Sequence, residues 1–175
     1  LLFLGDQGHH RPAQRVAQLQ PVLERQGVSV TYTEKLLDLN SETLAGYDCL
    51  LVYANIDRLG ADQEKALVEF VSGGKGLAAI HCASYCFRNS DIYVEMVGAQ
   101  FQRHGTGTFR TEIVDRDHAI TRGLMAFESW DETYVHHRHA EDRRVLSHRV
   151  EGTHREPWTW VRKHGKGRVF YTAWG

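Results

Sequence analysis

The sequence predicts an α/β fold, a three-layer sheet that is mostly parallel, with extra β-hairpin elements in its C-terminal half. Three observations predict it. Apolar runs and segments of helical period alternate through the first 80 residues, the rhythm of strands joined by right-handed crossovers. The runs at Tyr47–Ala54 and Gly76–Ile80 are nearly continuous, which marks strands buried on both faces. After Phe87 the rhythm gives way to β-rich runs separated by turn signals. At 175 residues the chain suits one domain, 1–175, with a sizeable core.

In order, Leu1–Leu4 is the first strand and Gly5–His10 the polar loop at its carboxyl end. Pro12 suits the first turn of a helix. Val16, Leu19 and Leu23 then recur at helical spacing, with Pro21 expected to kink or divide the helix and Gly27 to cap it. Val28–Thr33 is a β-branched second strand, Asn40-Ser41-Glu42 starts a short helix, and Tyr47–Ala54 is the third strand. Asp62–Ser72 forms the next helix, stopped by Gly73-Gly74, before the fourth strand at Gly76–Ile80. Beyond it lie a helix at Asn89–Val97 and strands at Thr108–Val114, Arg143–Val150, Trp158–Val161 and, after the turn Gly165-Lys166-Gly167, Arg168–Trp174.

Composition narrows the function. The formal net charge is −1 with Lys and Arg scattered, so no footprint for nucleic acid exists. No apolar run approaches the ~18 residues a membrane span needs. Cys49, Cys82 and Cys86 are odd in number, and the last two have a three-residue spacer, so neither a disulfide framework nor a CxxC site is expected. The chain opens on LLFLG and stops on VFYTAWG, both strand-like, and reads as a piece of a longer protein. The compartment stays open between cytoplasm and periplasm.

In open α/β sheets the chemistry lies beyond the carboxyl ends of the strands. Of 11 His, His9 and His10 follow the first strand and His81 follows the fourth, so a parallel sheet places them on one rim. His10, His81 and His104 are the candidate acid/base groups, with Asp131 or Glu132 of FESWDETY orienting a ring or a substrate hydroxyl. Asp6, Asn55 and Asp57 follow the first and third strands and suit sugar hydroxyls. Tyr134 and Cys82 complete the candidate binding residues. His9 is set apart, because neighbours in an extended loop point opposite ways. No cofactor motif is present. A divalent metal such as zinc is compatible with His10, His81 and His104, although no HExxH or paired spacing announces one. Trp130, Trp158, Trp160 and Trp174 could offer an apolar platform or form core.

The segments GDQGHHRPA, YANIDR, GGKGLAAIHCASYCF, MVGAQFQRHGTG, HAITRGL, FESWDETYVH and EPWTWVRKHGKGRVFYTAWG together resemble the trehalose-utilisation, or ThuA-like, family, over nearly the whole chain. The resemblance implies a class I glutamine amidotransferase-like, flavodoxin-like fold. It also implies a role with trehalose and related disaccharides, including 3-keto sugars. The wording looks closest to ThuA-like domains that share a longer bacterial chain with haem or sugar-dehydrogenase-like modules. On the amidotransferase elbow the resemblance puts His81, not Cys82, where those enzymes carry their nucleophile.

Three readings follow. The first is a sugar-processing domain, its partner a small carbohydrate, with His81 as central acid/base. The second is a non-catalytic sugar-binding or docking domain of a larger redox protein. The third is a Cys-dependent, amidotransferase-like hydrolase acting through Cys82.

Overall fold

The computed structural model describes residues 1–175. β1 (Leu2–Leu4) leads through a polar loop into α1 (Pro12–Arg25), then β2 (Thr31–Thr33), α2 (Ser41–Leu44), β3 (Cys49–Val52), α3 (Ala61–Ser72), β4 (Gly76–Ile80) and α4 (Asp91–Val97). β5 (Gln100–Arg103), β6 (Thr106–Ile113), β7 (Phe127–Glu132), β8 (Val135–His137), β9 (Arg144–Glu151), β10 (His154–His164) and β11 (Gly167–Thr172) complete the chain. Nine strands form one sheet in the order β2-β1-β3-β4-β11-β10-β9-β6-β7, while β5 and β8 pair separately.

The parallel half forms because its strands carry apolar side chains toward both faces. Leu2, Leu4, Leu50, Val52, Leu77 and Ala79 join Leu67 and Val71 of α3 in the main core. On the other face Phe3, Leu51 and Tyr53 meet Val16 of α1. Each of these larger side chains contributes about 1.5–3 kcal/mol on burial, which makes the register of β1, β3 and β4 hard to slip.

Several sequence expectations need correction. The sheet is mixed, not mostly parallel: four strand pairings are parallel and four antiparallel. Tight turns at Gly152 and Gly165, both with positive φ, fold β9, β10 and β11 back on one another, and turns that short permit only antiparallel neighbours. α1 runs through Pro21 undivided. Pro21 and Ala17, whose carbonyl loses its partner, both face water, and solvent takes the freed bond. β2 starts at Thr31 because the Val28 N–H is spent on the Leu23 carbonyl at 3.0 Å, closing the end of α1 together with Gly27. β10 is longer than expected. A register shift beside Pro157 absorbs the missing N–H that sequence reasoning takes as a strand boundary.

Strand direction then decides where the site lies. β1, β3, β4 and β11 run one way, and the antiparallel steps through β10, β9 and β6 return β7 to that same direction. The loops after β1, β3 and β4, the end of β7 and the residues after β11 therefore share one rim. The chain winds outward from β1 to β2 and the opposite way from β3 to β4, leaving a crevice at that rim.

Candidate functional site

The loop after β1 is a turn, not an extended segment. Asp6 accepts from the Gly8 N–H at 2.7 Å and also from the Asn55 N–H, tying the loops after β1 and β3 together. Arg11 adopts positive φ, and the Arg11 N–H reaches the Gly8 carbonyl at 3.1 Å. This reversal brings the rings of His9 and His10 to 4.0 Å, so the expectation that His9 points away from His10 fails. Asp6 spends its carboxylate on backbone, which makes it a loop tie rather than a holder of sugar hydroxyls.

β4 ends in a 3-10 turn, His81–Ser84, whose first residue has φ of 52°. Such a conformation is uncommon for a residue other than glycine and needs outside support. The His81 carbonyl accepts from the Tyr171 hydroxyl at 3.0 Å and the Ser84 hydroxyl at 3.2 Å. His81 as a whole is 1% exposed, its ring stacked on Tyr134 at 4.3 Å and edge-on to His10 at 4.8 Å. Nδ1 lies 2.7 Å from the Ala173 carbonyl. A carbonyl only accepts, so Nδ1 carries a proton. Nε2 then faces Glu132 Oε2 at 3.1 Å.

Burial dominates the electrostatics. It lowers His10 to about 4, with His81 and His9 adding to the effect, and it lowers His81 against the opposing pull of the Ala173 bond and the Asp131 and Glu132 carboxylates. Both imidazoles are thus neutral near pH 7. Burial likewise pushes the Tyr134 phenol and the Cys82 thiol well up.

Behind the turn at His81 lies a buried polar network that no sequence motif announces. His136 Nε2 is 3.0 Å from the Tyr171 hydroxyl and 3.4 Å from Ser84 Oγ, and its Nδ1 is 3.5 Å from Glu156 Oε1. The Glu156 carboxylate also accepts the His136 N–H at 3.0 Å. The Ser84-His136-Glu156 order has the look of a nucleophile triad. All three are buried, however, and the Ser84 hydroxyl is aimed at the His81 carbonyl. The network holds the elbow. Its only sequence signal is polar residues inside apolar runs, as in VFYT.

Two cavities of about 200 and 700 Å³ share His9, His10 and Glu132. The smaller is walled by Asn55, Tyr85, Phe101, His104 and Tyr134; the larger by Tyr53, His81, Trp130, Asp131 and Trp174. Trp130 is 67% exposed, whereas Trp158 and Trp160 are fully buried core. Asp131 holds the chain's end by accepting the Gly175 N–H at 3.2 Å. His104 reaches the cleft, but the donors that converge within 4.8 Å are those of His10, His81 and Glu132. Asp57 is bonded to Arg88, and neither cavity includes it, because the chain after Asn55 turns away toward the loop at Arg88. Cys82 is 1% exposed and packs with Phe3, Leu51 and Tyr53, so its thiol forms floor rather than an available thiolate. A larger cavity, about 770 Å³, opens over Ala78, Val161 and Phe170, with His118 its one imidazole.

A family model described as ThuA, trehalose utilisation, matches residues 1–175. Among solved structures the chain is similar to a ThuA-like protein of Bacteroides uniformis ATCC 8492, with TM-score 0.84 and 17% identity over 99% of this chain and 80% of that one. It is also similar to a ThuA-like protein of Parabacteroides merdae ATCC 43184, with TM-score 0.81 and 16% identity over 98% and 77%. A third likeness, TM-score 0.69 at 16% identity, covers 98% of this chain and 28% of a β-galactosidase from Rahnella sp. R3. These likenesses are ones of fold. No curated protein matches.

Proposed function

Since the chain belongs to the ThuA, trehalose-utilisation family, we propose that it is a carbohydrate-processing domain that takes a small disaccharide or keto-glycoside at the rim of its sheet. Family membership ties it to carbohydrate-related function. The observation that carries the finer reading is one cleft holding two neutral imidazoles, a carboxylate and an exposed indole. Each suits a part of a sugar. The Trp130 face offers an apolar plate for a ring's C–H side, and Asn55 offers both a donor and an acceptor to hydroxyls. His10, neutral and accessible, accepts a proton from a hydroxyl or a carbon next to a carbonyl. Glu132 orients the reacting hydroxyl, while Tyr134 and Tyr53 keep water off the His81 imidazole.

The parallel strands, ordered β2-β1-β3-β4-β11 with α1 on one face and α2, α3 and α4 on the other, support a flavodoxin-like reading of the layers. The burial of His81 favours a second reading, a domain that binds sugar without turning it over. Calorimetric titration with trehalose, sucrose and their 3-keto forms, followed by product analysis, separates the two. The first reading expects saturable binding plus a product that disappears in His10→Ala. Binding with no product leaves the second; no binding to any of them sinks both.

A further inference from the structure

We propose that His10, His81 and Glu132 hold a divalent transition metal, zinc being the ion their chemistry fits best. Their donor atoms lie within 4.8 Å of one another, although they come from three separate segments of the chain. In a tetrahedral site with bonds of about 2.0–2.1 Å, donors sit roughly 3.3 Å apart. His81 Nε2 and Glu132 Oε2, at 3.1 Å, already have that spacing. The His10 donor lies within 4.8 Å of both and would have to draw in to complete the set.

The tautomer of His81 supplies an independent argument. Its Nδ1 proton is committed to the Ala173 carbonyl at 2.7 Å, so the lone pair of Nε2 confronts a carboxylate oxygen. Two acceptors at that distance repel unless a positive centre lies between them. A proton would serve that pair only, whereas a metal uses the third donor, His10, as well. The bond to Ala173 is also the outer support that metal-bound imidazoles characteristically have, an N–H given to a carbonyl that fixes the ring. Gly175 leaves room for it: a Cβ there would come within 2.7 Å of the His81 ring.

Two imidazoles and one carboxylate leave a coordination position open, as in catalytic rather than structural zinc sites. His10 and Glu132 line both cavities, so a hydroxyl or carbonyl oxygen of the bound sugar could take that position. With the ion bound, His10 spends its lone pair on it and the proton-accepting role passes to another group. The choice of sugar as occupant rests on the preceding reading; the metal site does not.

The test uses tag-free protein stripped with EDTA and titrated with Zn²⁺ by calorimetry and with Co²⁺ by visible absorption. One equivalent per chain is expected, with a cobalt spectrum of nitrogen and oxygen donors. Glu132→Gln and His10→Ala should each weaken uptake at least tenfold, about 1.4 kcal/mol, while His118→Ala leaves it unchanged. Absence of saturable uptake, equal uptake by Glu132→Gln and His10→Ala, or a thiolate band pointing to Cys82 would overturn the site. The wild-type cobalt spectrum decides the matter even where a variant folds badly. Sugar titration of stripped protein keeps the two proposals apart. Sugar binding without metal uptake removes only the metal, and metal uptake without sugar binding removes only the sugar.

Discussion

Trp130 stands in the open beside buried groups of the cleft, so its contribution falls on ligands rather than on folding. Trp130→Ala should cost roughly tenfold in sugar affinity, about 1.4 kcal/mol, with little change in melting temperature; intrinsic fluorescence and calorimetry check both. His136 behaves oppositely. Burial holds it neutral when folded, below its ordinary value of 6.5, with the Glu156 contacts opposing. The unfolded imidazole therefore binds more protons as pH falls, and stability declines below that value. His136→Gln should make the decline shallower in urea titrations across acidic pH; an unchanged slope would show that His136 does not drive it. At this scale the sequence was readable where position alone places a side chain. His10 and His81 follow strand ends, so the topology suffices to bring them together. Asp6, Asp57 and the His136 network were not readable. Their roles depend on which backbone N–H or hydroxyl lies opposite, and no periodicity encodes that.

Among the elements, the close approach of β11 to the end of α3 is the sharpest constraint. A Cβ on Gly167 would lie 2.1 Å from the Val71 carbonyl oxygen and 2.6 Å from that of Lys75, and backbone cannot give way as a side chain can. Gly167→Ala should destabilise the chain by about 1–3 kcal/mol, measured as a lower urea midpoint at unchanged slope. Asp6→Ala should cost a similar ~1–3 kcal/mol, since it strips the acceptor from two loop N–H groups. The N-terminal elements were legible because continuous apolar runs and a Gly stop leave few alternatives. β5, β7 and β8 were not. Gln100–Arg103 and Phe127–Glu132 carry polar side chains on half-exposed strands, and their pairing, not their own composition, makes them β.

Across the whole molecule, the mixed sheet matters because direction, not sequence distance, sets which residues meet. Four antiparallel steps carry β7 back to the direction of β4, and this delivers Glu132 to a rim built 51 residues earlier by His81. The same enclosure shuts off the cysteines. Burial pushes the Cys86 thiol up to about 12 and Cys82 well up, and raises the half-buried Cys49 too, so iodoacetamide on the folded chain should label Cys49 slowly and leave Cys82 and Cys86 until urea unfolds it, as peptide mass mapping would show. Rapid labelling of Cys82 would revive the hydrolase reading.

The most direct measurement is a crystal structure of the chain soaked with trehalose or a 3-keto disaccharide. Density for a sugar ring lying on Trp130, with an oxygen within hydrogen-bond reach of His10 and Glu132, is the predicted result. A well-ordered sugar bound instead over Ala78, Val161 and Phe170, with the histidine cleft untouched, would contradict it.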